Sequence, residues 1–203
     1  MSSLLPLFPL DLVLFPGASL PLHIFEPRYR EMISECLEQH RSFGVVRSKE
    51  EGFADIGCTA EIVSVAKRYD DGRMDIVTEG RQRFEVMRVN QERSFLQAEV
   101  AHLDDDADAA TSEEVAKALK LRDEIMTLAG GEAETTAKID QRLLSFHLAS
   151  SLPLDLDFKQ TLLAMKSESE RLRTIISFFE AILPQMRRTV HVRRKAGGNG
   201  HGG

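Results

Sequence analysis

Five prolines between residues 6 and 27 restrict this chain more than any other feature. Leu7, Phe8, Leu10, Leu12, Val13, Leu14 and Phe15 supply core-forming bulk, and Pro6, Pro9, Pro16, Pro21 and Pro27 divide it. Proline fixes φ, donates no hydrogen bond and drives the preceding residue out of the helical region. The spacing therefore excludes both one amphipathic helix and a regular strand ladder. It predicts two or three short strands, with Pro16-Gly17 as a turn. A lead this apolar belongs at the centre of a sheet rather than at its edge.

The next residues read in order. Pro27 suits a first helical position, and Tyr29, Met32, Ile33, Cys36, Leu37 and His40 recur at three- and four-residue steps, which predicts a helix over 26–40. Residues 42–47 and 58–69 read as strands. Asp70-Asp71-Gly72 reads as a hairpin turn and 73–78 as the returning strand. Gly80 breaks that strand, after which 83–89 alternate with Phe84 and Val86 inward and Arg83, Glu85 and Met87 outward. Residues 95–103 form the last strand, so this half should build a closed or nearly closed sheet carrying one helix. At 104–110 (DDDADAA) the composition shifts to a solvated acidic linker. Helical spacing follows over 111–129, 137–150, a short piece from Asp157, and a helix from the Ser167–Glu170 capping box to Pro184, which should kink or end it. The expected organisation is a β-rich subdomain at 1–103, the linker at 104–110, a helical bundle at 111–190 and an unstructured tail at 191–203.

Three pieces of the opening stretch, LPLFPL, VLFPG and LPLHIFEPRYR, occur in order at a spacing that resembles the N-terminal domain of the Lon protease family. DIGCTAEI (residues 55–62), EGRQRFEV (79–86) and LLAMKSESERL (162–172) extend the resemblance over about residues 4–186. It implies an α+β fold, with a PUA-like pseudo-barrel of short, mostly antiparallel strands and one helix followed by a C-terminal helical bundle. It implies recognition of protein substrates or partners. The phosphate loop G-x-x-x-x-G-K-[ST] and the G-x-S-x-G elbow are both missing from the sequence, so a stand-alone, non-catalytic form without the ATPase and Ser–Lys protease modules is expected.

Chemistry is sparse. The six histidines are scattered without zinc-ligand spacing, so neither a metal, a cofactor nor a catalytic set is expected. Cys36 and Cys58 read as buried reduced thiols in a cytoplasmic protein. No apolar run is long enough for a membrane span, and no secretion signal is read. The candidate peptide- or protein-binding residues are Phe15 and Pro16 in the apolar turn, His23, Phe25 and Glu26 at the start of the first helix, and Arg28, which could also tie that helix to Glu26 or Glu61. Open sheet edges could also accept an extended peptide. The expected partners are unfolded or apolar protein segments, and a Lon-type protease. Two other classes remain: RNA binding of the PUA-like kind through Arg187, Arg188, Arg193, Arg194 and Lys195, and a small-molecule or enzymatic cleft between sheet and helices. A net charge of −6, no tryptophan, and sixteen acidic against twelve basic residues over 1–103 weigh against nucleic acid.

Overall fold

The computed structural model describes residues 4–131 and 140–198, and for 191–198 the backbone alone. It is an α+β structure with a six-stranded sheet and five α-helices among the described residues. The strands are β1 (Leu5–Leu10), β2 (Ser19–Ile24), β3 (Phe43–Arg47), β4 (Ile56–Arg68), β5 (Met74–Asn90) and β6 (Gln97–His102); the helices are α1 (Pro27–Glu38), α2 (Ser112–Ala129), α3 (Leu144–Ser151), α4 (Leu156–Ala164) and α5 (Glu168–Gly198).

The strand order is β2-β5-β4-β3-β1-β6, and β6 also pairs with β5. Five strands therefore close on themselves, and β2 lies outside the ring on the first half of β5. β5 serves both roles because it is one continuous strand of 17 residues. This corrects the break expected at Gly80. Gly80 stays in the ladder, opposite Ala60, and exchanges hydrogen bonds with the turn at residues 15–18: Gly17 N–H to Gly80 O, 2.8 Å, and Gly80 N–H to Ala18 O, 2.9 Å.

β1 occupies the interior position its composition demands, parallel to β3 and antiparallel to β6. Its ladder survives Pro6 and Pro9, against expectation, and the Leu7 N–H between them donates to Leu96 O at 2.8 Å. Phe8 stacks on Tyr29 of α1 with ring centroids 4.0 Å apart. Around that pair lie Leu14, Ile24, Met32, Ile33, Phe43 and Ile76, while Leu7, Val46, Phe84 and Ala98 form a second cluster. Cys36 and Cys58 are free and buried in the larger cluster. Burial pushes their thiols up, to about 11 for Cys36 and about 12 for Cys58. Thiolate is the reactive form. A water-soluble disulfide reagent at mildly alkaline pH should therefore label neither thiol in the native protein and both in denaturant; rapid native labelling would contradict this core.

By its contacts the chain divides into two compact units, Met1–Asp105 with Ala149–Lys166, and Asp106–Leu148 with Ser167–Gly203. The contiguous division read from the sequence thus needs correcting, because α4 belongs with the sheet. Arg83 on β5 holds it there. Its guanidinium donates to the carbonyls of Leu163, at 2.7 Å, and Met165, at 2.6 Å, and pairs with Asp105. Arg83 is 3% exposed, although strand alternation had placed it outward.

In the second unit α2 packs along α5. Thr111 and Glu114 form the capping box of α2, and Gly130, at φ 81°, closes it. Glu168, at the start of α5, accepts from the Ser145 N–H and hydroxyl of α3 and pairs with the buried Arg171. The helix read over 137–150 is a 3-10 turn at Gln141–Leu143 followed by α3, and its first residues lie outside the described ones. α5 does not end at Pro184, one of the two outcomes expected there, and continues as helical backbone to Gly198, which corrects the unstructured tail expected from 191; residues 199–203 lie outside the described ones. No described helix is long and apolar enough to cross a membrane.

Candidate functional site

β2 alternates as a half-buried strand should. Leu20, Leu22 and Ile24 turn to the core, while Ser19, Pro21 and His23 turn out. In the antiparallel register His23 faces Asp75 of β5, and Asp75 faces Lys67 of β4. Three outward side chains thus line up across three strands. His23 Nδ1 lies 2.5 Å from Asp75 Oδ1, and the Tyr69 hydroxyl donates to Asp75 Oδ2 at 2.9 Å. Tyr69 sits where β4 enters the turn at Gly72, whose φ of 84° glycine tolerates readily.

The rings assemble around this carboxylate. Tyr69 meets His23 edge-on at 5.8 Å, and Phe25 stacks on His23 at 5.9 Å. Lys67 Nζ lies 4.5 Å and the Arg73 guanidinium 4.9 Å from the Tyr69 ring centroid. Phe25 is 58% exposed. The next outward row holds Pro21 opposite Val77, and Val77 opposite Ser64. Val63, inserted by a register shift between Ile62 and Ser64, is 56% exposed. Beyond it Arg81 pairs with both Glu61 and Glu79. An apolar strip with charged margins is the layout of a protein-contact surface.

Hydrogen bonds from His23 and Tyr69 hold the Asp75 carboxyl below its ordinary value near 3.8. A carboxylate depressed in the folded state stabilises it above the unfolded value, and that stabilisation is lost as pH falls through the folded value. Acid titration of the His23 and Tyr69 ring resonances should therefore show a step below pH 3.8 that Asp75→Asn abolishes. A step that persists in that variant would rule Asp75 out as its source.

The structure gathers only part of the residue set expected from sequence. His23, Phe25 and Glu26 lie at the end of β2 and the start of α1, and Arg28 donates to Glu26 at 2.9 Å and overlies Tyr29 at 4.6 Å. Glu61 is occupied instead by Arg81. Phe15 and Pro16 are a correction: Phe15 is 1% exposed and Pro16 is buried, because the hydrogen bonds to Gly80 tuck their turn against β5. Tyr69, Asp75 and Lys67 were missed. The Asp71-Gly72 turn places Tyr69 near Asp75, but the register of β2 on β5 is written in neither strand.

The open sheet edges are poor templates for an added strand. The outer edge of β2 carries Pro21 at its middle, and the β4 edge beyond Ala60 is interrupted by two register shifts. Both devices blunt strand pairing. Of the basic run, Arg187 pairs with Glu124 of α2 at 2.6 Å. Among the described residues no group of three or more His, Cys, Asp or Glu could hold a metal ion.

The chain matches the family model described as ATP-dependent protease La (LON) substrate-binding domain over residues 4–181. It is similar to the Lon protease of Cytophaga hutchinsonii, 25% identical across 94% of this chain, and to that of Parabacteroides distasonis, 29% identical across 64%. It spans only 26% and 17% of those proteins. Among solved structures it resembles a Lon N-terminal domain protein from Xanthomonas campestris, with TM-score 0.70 and 29% identity over 86% of this chain and 98% of that one. The N-terminal domain of a Mycobacterium avium complex Lon protease shares the fold at 19% identity, with TM-score 0.66 over 88% of this chain and 98% of that one.

Proposed function

This chain belongs to the LON substrate-binding domain family, and on that premise we propose that it is a non-catalytic module that holds unfolded or apolar protein segments on the outward face of β2, β5 and β4. The observation that carries this reading is Phe25: a large ring left in solvent, stacked on a histidine that Asp75 fixes and Tyr69 flanks. An aromatic group held in place before binding loses little conformational freedom on contact, which is what makes such residues effective anchors. The blunted edges favour side-chain contact with this face over strand addition. The charged margins at Lys67, Asp75, Glu79 and Arg81 would limit the contact to short apolar stretches.

The role is that of an adaptor or regulator in protein quality control, working with a Lon-type protease or on the same substrates. The closed ring of five strands supports reading the first unit as a PUA-like pseudo-barrel, and the packing of α2 along α5 supports a helical bundle in the second. The buried free thiols favour a cytoplasmic setting. Titrating the isotope-labelled protein with a reduced, carboxymethylated polypeptide tests the reading by NMR. The amides of His23, Phe25, Tyr69 and Val77 should shift together and saturate. Shifts scattered over the surface, or none, would reject it.

A further inference from the structure

His23 stands at the centre of the Phe25 surface, and half of its ring chemistry is unused. Asp75 stays ionised near neutral pH, because hydrogen bonds from His23 and Tyr69 hold its carboxyl below the ordinary value. An ionised carboxylate accepts and never donates, so the contact at Nδ1 requires the hydrogen to sit on Nδ1. In the neutral imidazole the other nitrogen, Nε2, is then an acceptor. Nε2 has no hydrogen-bond partner among the described residues. Cε1 and Nε2 are the ring atoms farthest from Cβ, and β2 turns this side chain outward. Even with Asp75 covering Nδ1, the side chain is 44% exposed. The unused acceptor thus lies at the outward tip of the residue.

Its neighbours decide what can use it. Lys67 of β4 and Arg73 of the turn can only donate, and both lie against the Tyr69 ring. The Tyr69 hydroxyl is spent on Asp75 of β5, and beyond Phe25 the charges of Glu26 and Arg28 pair with each other. Phe25 stacks on His23, and Pro21 and Val77 continue the apolar strip. A group that settles here must offer hydrocarbon to the strip and a hydrogen to Nε2. The tryptophan indole does both with nothing left over, being a flat apolar body with one N–H and no acceptor. Phenylalanine brings no hydrogen, and a tyrosine hydroxyl brings an acceptor along with its hydrogen.

We propose that His23 Nε2 is a specificity-determining acceptor, which makes this surface prefer apolar segments that carry a tryptophan, the indole N–H donating to Nε2 beside Phe25. The inference rests on the reading of this face as the polypeptide-binding surface and names the segment that it selects. The preference carries a pH sign. Protonation turns Nε2 into a donor set against the indole N–H. The preference is therefore present while His23 is neutral and is lost as His23 charges.

The test uses the capped peptide acetyl-Ala-Trp-Ala-amide and its analogue methylated at the indole nitrogen, titrated by NMR into the intact, isotope-labelled chain. The state of His23 is read from its own ring resonances across the pH series. With His23 neutral, both peptides should shift the Phe25 amide. The plain one should bind about fivefold more tightly, the size expected of one hydrogen bond, and should alone move the Nε2 resonance. With His23 protonated the two affinities should converge. His23→Phe keeps a ring beside Phe25 but has no acceptor, so it should bind both peptides alike at every pH. Equal binding of the two peptides to neutral His23, or a preference that survives in H23F, would overturn the proposal. A preference that grows on acidification would also overturn it, because the indole would then be packing its face on a cation. Each of these results leaves the proposed function standing, provided that Phe25 shifts; shifts at neither Phe25 nor His23 would reject both. The methylated peptide needs no variant, so it decides the matter even if H23F unfolds.

Discussion

Replacing Arg83 with alanine should destabilise the protein by about 3–5 kcal/mol, the cost of breaking a buried charged network from one side. The guanidinium is nearly inaccessible and serves three acceptors. Two of these are main-chain carbonyls at the end of α4, where a helix terminus needs outside donors. Alanine removes the two hydrogen bonds to those carbonyls and the ion pair to Asp105, and opens a cavity. The loss should be local first. Hydrogen exchange should accelerate across residues 149–166 before the ring of strands opens, and equilibrium urea unfolding should give the total. Lysine keeps the charge but not the planar fork, so it should recover only part of the loss. A midpoint for Arg83→Ala within error of the native protein would mean that α4 is held on the sheet by something else.

Gly80→Ala should cost about 3 kcal/mol, at the upper end of ordinary overpacking. A Cβ at residue 80 would sit 2.1 Å from the Phe15 carbonyl oxygen and 3.2 Å from the Leu14 side chain. The obstacle is main chain that is itself hydrogen-bonded to Gly80, so it cannot swing aside as a flexible side chain could. The turn at residues 15–18 would have to lift off, exposing Phe15. Valine should be worse than alanine, and either variant should bind a hydrophobic dye that the native protein ignores. Unchanged stability in Gly80→Ala would show that the turn has room to retreat.

These two positions also mark where the sequence stopped being readable. α1 and α2 were legible because Pro27, Thr111, Glu114 and Gly130 carry local capping chemistry. The hairpin was legible because Gly72 takes the positive φ that its turn requires. Gly80 looked like punctuation, since local rules assign glycine in a strand to a break. Its reason for being glycine is a carbonyl 65 positions away in sequence. Arg83 looked like an outward charge, and α4 like part of the helical half, for the same cause: the partner of each lies about 80 residues from the other. The candidate site divides likewise. His23 and Phe25 were within reach of pattern reading, whereas Asp75 and Tyr69 join them only once β2 is set against β5. Phe15 and Pro16 were apolar enough for either core or contact surface, and burial decided for core.

The most direct measurement of the central claim is the affinity of Phe25→Asp for a fluorescein-labelled, reduced and carboxymethylated polypeptide, read by fluorescence anisotropy. Phe25 is exposed and outside the core clusters, so the unfolding midpoint should stay where it is. The account predicts binding weaker by about tenfold or more, equivalent to about 1.4 kcal/mol for one aromatic anchor. Binding by Phe25→Asp that matches the native chain would contradict it.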